Sequence, residues 1–204
     1  MDNPKPTRST GSRWFILFGS FFVLIALVAI RATADDEPVT AVIIGIVFGL
    51  TGLFFAIAGI RQWYTRYRVG KPEVQISKQT AVLGDNISIS FHNTFNREVN
   101  VETFSIKLIF KETATYQQGT NTKTVHHEEI IDEYNTVGQR FSAGSFLSES
   151  HEFTLPRDAM HSVDVRRNQL KWFIRFEMDI PRMMNFQDDY EITVLPELTS
   201  REWD

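Results

Sequence analysis

The chain has 204 residues, 43% of them apolar and 23% charged, with a formal net charge of −4 at neutral pH. That balance excludes wholesale disorder, and the length accommodates one modest water-soluble core beside membrane segments. Cysteine is absent, which removes disulfides, thiolate nucleophiles and cysteine-based metal centres and suits a reducing compartment.

In chain order, the first expected element is a basic tail, residues 1–13, carrying Lys5, Arg8 and Arg13. Trp14–Ile30 (WFILFGSFFVLIALVAI) then runs without a charge between Arg13 and Arg31. At about 1.5 Å per residue it just crosses a hydrocarbon core of about 30 Å with local thinning. A second uncharged run, Val39–Ile60, is longer and spans comfortably. Two such runs, 14–30 and 39–60, read as a transmembrane helical hairpin rather than as a buried pair of soluble helices.

The loop between them, RATADDEP, sets Arg31 against Asp35, Asp36 and Glu37, whereas the exit of the second run carries Arg61, Arg66, Arg68 and Lys71. By the positive-inside rule both tails face the cytoplasm and the short loop lies outside. Trp14 at one end, with Trp63, Tyr64 and Tyr67 at the other, fits an aromatic belt on the cytoplasmic side. The location expected is integral to a plasma membrane, or to the inner membrane of a prokaryote, with the bilayer itself as a partner. A signal peptide is the alternative for the first run, because Ala32-Thr33-Ala34 resembles a cleavage site; Arg31 and the length of the run oppose it. Either choice leaves the large C-terminal domain cytoplasmic.

Within the second run, Ala41, Gly45, Gly49, Gly52, Ala56 and Gly59 recur at spacings of three and four, and Gly45–Gly49 gives a G-x-x-x-G pattern. All six are expected on one helix face that packs closely on another helix. That helix is either the first of the same chain or one from a homo-oligomer or larger membrane complex.

Residues 61–72 are expected as a juxtamembrane linker, ended by Gly70 and Pro72. From Val74 the apolar period is two. Ile87, Ile89 and Phe91 follow a turn at Leu83-Gly84-Asp85-Asn86, and Phe104, Ile106, Leu108 and Phe110 form a half-buried strand. A second long strand carries Leu170, Trp172, Ile174, Phe176, Met178 and Ile180. Weaker segments at 125–131, 141–147, 151–155 and 190–195 bring the total to about eight strands, the load of an antiparallel two-sheet sandwich over 73–196, followed by an acidic tail, 197–204. From Val69 onward there are 14 Lys and Arg against 21 Asp and Glu, which argues against a nucleic-acid partner. The fold class expected is therefore membrane-anchored all-β.

The succession VLGDNISISFHN, FSIKLIF, HEFTLP and LKWFIRFEMDIPRMMNFQDDYEITVLP resembles an arrestin-type β-sandwich over Val74–Pro196. Immunoglobulin-like and fibronectin-like sandwiches share its alternation. The arrestin resemblance implies an adaptor-like binding module that uses sandwich edges and loops. This chain has one such domain instead of two and carries its own anchor.

Candidate chemistry is sparse. In Thr124-Val125-His126-His127-Glu128-Glu129, a strand puts His126 and Glu128 on one face and His127 and Glu129 on the other, so the four do not converge on a metal. No phosphate-binding, nucleophile-elbow or zinc-protease pattern occurs. The carboxylate pairs Asp132–Glu133 and Asp188–Asp189 are expected to be solvated, and the sequon Asn86-Ile87-Ser88 is idle on the cytoplasmic side. Catalytic residues, metal ligands and cofactors are accordingly not expected. For contacts, Glu112–Lys123 is expected as a long polar loop, whereas Met183, Met184 and Phe186 beyond Pro181 offer large apolar groups, either for an unidentified protein partner or as a core cap. The function expected is a non-enzymatic membrane-tethered interaction or scaffolding module; the alternative is an accessory structural subunit of a membrane complex or transporter.

Overall fold

A computed structural model describes residues 6–9, 12–33 and 38–197, which fall into two compact units. The helical unit takes in two helices up to Arg68 together with the short segment Arg182–Met184; the strand unit takes in the rest. The acidic loop Asp35–Glu37 and the tail beyond Glu197 lie outside the described residues.

Helix α1 spans Ser12–Thr33 and α2 spans Pro38–Val69. Pro38 opens α2 at a position where its missing N–H costs nothing. Both helices are long and apolar enough to cross a membrane. At about 1.5 Å per residue α2 reaches about 48 Å, well beyond a hydrocarbon core. The stretch expected as a linker, 61–72, is therefore helical as far as Val69. No Gly or Pro interrupts RQWYTRYRV, so nothing ends the helix before Gly70. Gly70 has φ +92°, and a Cβ there would sit 2.5 Å from the Thr94 carbonyl oxygen, so only glycine fits. Asn93 Nδ2 donates to the Val69 carbonyl at 2.8 Å and so caps the helix end.

The strand unit contains β1 (Arg8–Ser9), β2 (Glu73–Ile76), β3 (Thr80–Val82), β4 (Asn86–Thr94), β5 (Val99–Asn100), β6 (Thr103–Gln118), β7 (Asn121–Val137), β8 (Arg140–Phe141), β9 (Phe146–Thr154), β10 (Val163–Val165), β11 (Asn168–Asp179) and β12 (Phe186–Leu195). The larger sheet runs β1-β12-β11-β6-β7, with β10 on β11 and β3 on β12; the smaller runs β2-β4-β9, and β5 pairs with β8. Among the described residues the pairings are antiparallel except that of β3 with β12, which is parallel, so the expectation of a wholly antiparallel sandwich is corrected there. The expected turn at Leu83–Asn86 is present: Gly84 adopts φ +88°, and Asp85 Oδ2 accepts from the Val82 N–H at 3.1 Å and from Lys78 at 2.8 Å.

The alternation read from the sequence places the core. Trp172, Ile174, Phe176 and Met178 of β11 are fully buried, and they pair in register with Phe110, Leu108, Ile106 and Phe104 of β6 and with Ile192, Tyr190, Asp188 and Phe186 of β12. From the opposing sheet, Phe91 meets Phe104 and Phe176 at ring separations of 4.7 and 5.1 Å. These contacts define a two-sheet sandwich.

Glu112–Lys123 is not a loop. Strands β6 and β7 continue through it as a ribbon closed by a tight turn at Gly119-Thr120, with Gly119 at φ +65°. Side chains on both faces of the ribbon tip meet solvent, so no apolar period marks it; its β-branched threonines, with Thr115 and Thr124 hydrogen-bonded across the strands at 3.0 Å, hold the extended form.

Candidate functional site

In the helical unit the small-residue face of α2 is filled by α1. A Cβ added at Gly52 would lie 2.8 Å from Val23 Cγ2 and 3.0 Å from the Gly19 carbonyl oxygen; one at Gly59 would lie 2.8 Å from Ile16; one at Gly45 would lie 2.7 Å from Ile30. A Cβ at Gly19 would in turn lie 2.9 Å from the Ala56 nitrogen. Ala41 is buried as well. Gly49 departs from the expectation: a Cβ there meets nothing within 4 Å. At 3.6 residues per turn, Gly52 is rotated only about 20° from Gly45 but Gly49 about 40° the other way, enough to leave the contact. On α1 the complementary face is Phe15, Gly19, Phe22 and Ala26, with Phe22 stacked on Phe55 at 6.0 Å. Its spacing of four, three and four carried that signal in the sequence.

Elsewhere the two helices present large apolar side chains outward: Leu17, Leu24, Leu27, Leu50 and Phe54 are each about 60% exposed or more. At the exit of α2, Trp63 stacks on Tyr67 at 5.7 Å, and the Arg68 guanidinium lies 5.4 Å from the Tyr64 ring centre.

The proposed contact loop divides. Phe186 is buried at 2% exposure and pairs with Met178 as the first residue of β12, so it belongs to the sandwich core and is removed from the candidate binding group. Met183 and Met184 belong to the helical unit. Arg68 Nη1 approaches Met183 Sδ at 3.7 Å, and Met184 lines an apolar cleft with Phe54, Ile57, Ala58 and Arg61. Arg182 has φ +63°, a left-handed conformation that an arginine rarely adopts, and its carbonyl accepts from Arg61 Nη2 at 3.4 Å.

In the strand unit the outward face of β12-β11-β6-β7 is laced with charges. Arg175 is held by Asp189 at 2.7 Å and Glu128 at 3.2 Å, Lys107 by Glu177 at 2.6 Å and Glu133 at 3.3 Å, Lys111 by Glu128 at 2.6 Å, and Lys171 by Glu191 at 3.0 Å. Burial works against the charge on Arg175, but hydrogen bonds and charge from Asp189 and Glu128 outweigh it and raise its pKa. The hydrogen bond from Lys111, with the charge of Arg175, holds the Glu128 carboxyl below the ordinary range. A shallow groove over Phe173 is lined by these groups and by Thr7. Among the described residues its cations and carboxylates pair with one another, as in a structural lattice.

Asp188 and Asp189 are both buried, contrary to the expected solvation, because the strand alternation turns one toward the sandwich interior and the other toward Arg175. Asp132 and Glu133 are exposed as expected. In the histidine segment, His126 lies 3.0 Å from Thr113 Oγ1 and Glu128 is committed to Lys111 and Arg175, while His127 and Glu129 point to the other face, opposite Glu112 and Phe110. Sequence reasoning did not find the flank where Tyr134 stacks on His151 at 4.5 Å and donates to Glu149 at 3.2 Å.

No protein-family model matches the chain, and no curated protein matches it. Among the solved structures that do match is the crystal structure of Spo0M, a sporulation control protein from Bacillus subtilis, with 16% sequence identity and a TM-score of 0.48. The match covers 62% of this chain and 49% of that one, so it extends over about half the length of the Spo0M structure.

Proposed function

We propose that the chain is an integral membrane protein in which a two-helix hairpin tethers a non-enzymatic β-sandwich interaction module at the cytoplasmic surface. The observation that carries this proposal is the apolar girdle of the hairpin. Leu17, Leu27, Leu50 and Phe54 are 61%, 61%, 63% and 68% exposed, and comparable residues recur around both helices. A contiguous apolar surface of this kind needs lipid or protein to cover it. Pairing of residues 8–9 with β12 supports a two-span arrangement, since the segment before α1 and the domain after α2 then share one side of the bilayer. The arrestin-type resemblance supports a module that binds through edges and loops.

Alkaline carbonate should leave the full chain in the membrane pellet. A single cysteine at Asp36 should label from outside intact cells and one at Thr120 should not. Release by carbonate, or the reverse labelling, would refute the anchor or its orientation.

The accessory-subunit reading is favoured by one observation, the open space over Gly49, which leaves α2 backbone accessible to a helix from another chain. Membrane partners that co-purify with the native chain and are lost on Gly49→Leu would select it.

A further inference from the structure

We propose that Arg61 and Arg182, with Met184 and the Phe54–Ala58 face of α2, form a site for the headgroup and proximal acyl chain of an anionic phospholipid. The proposal rests on the membrane reading above and adds a lipid class and a location to it.

Arg61 is the first charged residue after the uncharged run 39–60, so it marks the depth at which α2 leaves the hydrocarbon. The cleft beside it has Phe54, Ile57 and Ala58 on one wall and Met184 on the other, with Arg61 at its polar end. Phe54 and Ile57 are 68% and 49% exposed. Along the helix axis the lining thus changes from apolar to cationic within two turns, as a lipid does from acyl chain to phosphate. Trp63, Tyr64 and Tyr67, each more than 40% exposed, sit within the next two turns, where amphipathic rings favour the interface.

Among the described residues, no ion pair compensates the charge at the cleft. Ion pairs among the described residues engage Lys78, Lys107, Lys111, Arg140, Lys171 and Arg175, but none joins Arg61 or Arg182 to a carboxylate. Arg61 spends one donor on the Arg182 carbonyl, at 3.4 Å, leaving the rest of its guanidinium fork for an acceptor. That contact brings the Arg182 backbone beside Arg61. Arg182 keeps an arginine at φ +63°, where glycine or asparagine would be easier, which points to a use for its side chain. Arg68 is excluded from the ligand set because it packs on Tyr64 and Met183 and so steadies the loop. The Arg61 guanidinium at the polar end of an apolar cleft, with an exposed second arginine joined to it through the Arg182 carbonyl, fits a phosphate monoanion bearing acyl chains; a zwitterionic headgroup adds a cation that arginine repels.

The test uses the full chain in a neutral detergent, titrated with short-chain phosphatidylglycerol, with short-chain phosphatidylcholine, and with inorganic phosphate, followed by melting temperature and tryptophan fluorescence. The anionic lipid should act at concentrations at least tenfold lower than the zwitterionic one, and phosphate should be silent. Arg61→Gln with Arg182→Gln should abolish that preference, while Arg97→Gln with Lys123→Gln, an equal loss of charge in the strand unit, should keep it. Arg182→Gly, which removes the side chain and relieves the backbone, keeps the question answerable if the double variant misfolds. It should weaken the anionic preference without lowering the melting temperature. Equal action of the two lipids, an effect of phosphate matching that of the anionic lipid, or an undiminished preference in the double variant would overturn the assignment. Carbonate extraction separates the two readings: a chain that stays in the membrane without a headgroup preference refutes this site alone, and a chain that is released refutes the anchor.

Discussion

Replacing Gly52 by alanine tests the packing of the hairpin, because the new methyl group meets the α1 backbone as well as a branched side chain, so a side-chain rotation alone does not relieve it. Its Cβ would lie 2.8 Å from Val23 Cγ2, 3.0 Å from the Gly19 oxygen and 3.2 Å from the Val23 nitrogen. Ordinary non-bonded contacts begin near 3.5 Å, so α1 must retreat by roughly half an ångström. A gap of that size forfeits about a quarter of each dispersion contact along the seam, including the Phe22 ring against Phe48 and Phe55. The expected cost is about 1–3 kcal/mol, in the range of other overpacked contacts. Gly49→Ala is the matched control, since it makes the same change in helix propensity with nothing within 4 Å to strike, and it should be neutral or stabilising by about 0.5–1 kcal/mol. The assay is unfolding of the full chain by sodium dodecyl sulfate in mixed micelles, with the midpoints compared. Equal shifts for the two variants would refute the placement of α1 on this face.

Phe186→Ser should destabilise the strand unit by about 3–5 kcal/mol through loss of a buried ring, whereas Met183→Ser with Met184→Ser should leave its melting temperature nearly unchanged; calorimetry of the full chain in detergent compares them. Because the Glu128 carboxyl is depressed in the folded state, its contribution is present above the unfolded carboxylate pKa and is lost as the pH falls through the folded value. Glu128→Gln should therefore flatten the acid limb of a stability–pH profile and leave alkaline stability little changed; an identical acid limb would count against the Lys111 and Arg175 contacts. Arg182→Gly should raise thermal stability by about 1 kcal/mol by removing a left-handed arginine, and a fall would mean that the side chain holds the loop.

The parts of the fold that were legible in the sequence are those with one apolar and one polar face. Trp172, Ile174, Phe176 and Met178 alternate without interruption, and all four are buried. The β6–β7 ribbon was illegible for the converse reason: beyond Glu112 neither face meets a core, so polarity suggested a loop while hydrogen bonds between strands kept it extended. Phe186 carried a usable signal, since it shares parity with Tyr190, Ile192 and Val194 on β12; the irregular residues before it drew attention to the loop instead. The glycine stripe was legible as a packing face but not at each position, because spacings of three and four accumulate angular drift and only Gly49 falls off the seam. The pairing of residues 8–9 with β12 joins segments about 180 residues apart, and no local pattern announces it.

That remote pairing bears on where recognition lies. Thr7 accepts the Glu191 N–H on its hydroxyl and donates its own N–H to the Asp189 carbonyl, and β3 covers Thr193–Leu195, so much of the β12 edge is occupied from within the chain. An edge treated this way is closed to strand addition unless the covering segment leaves. The outward sheet face is similarly committed, its cations matched by carboxylates from neighbouring strands. Among the described residues, the helical unit leaves open the apolar girdle, the backbone at Gly49, and Arg61, which has no ion pair, at an apolar cleft. Open interaction capacity in the helical unit therefore sits along the apolar girdle and at the helix exit, while in the strand unit it sits at edges left unpaired, such as that of β7. On that account, substitutions along the α2 exit should alter association sooner than substitutions on the charged sheet face, which should first alter stability.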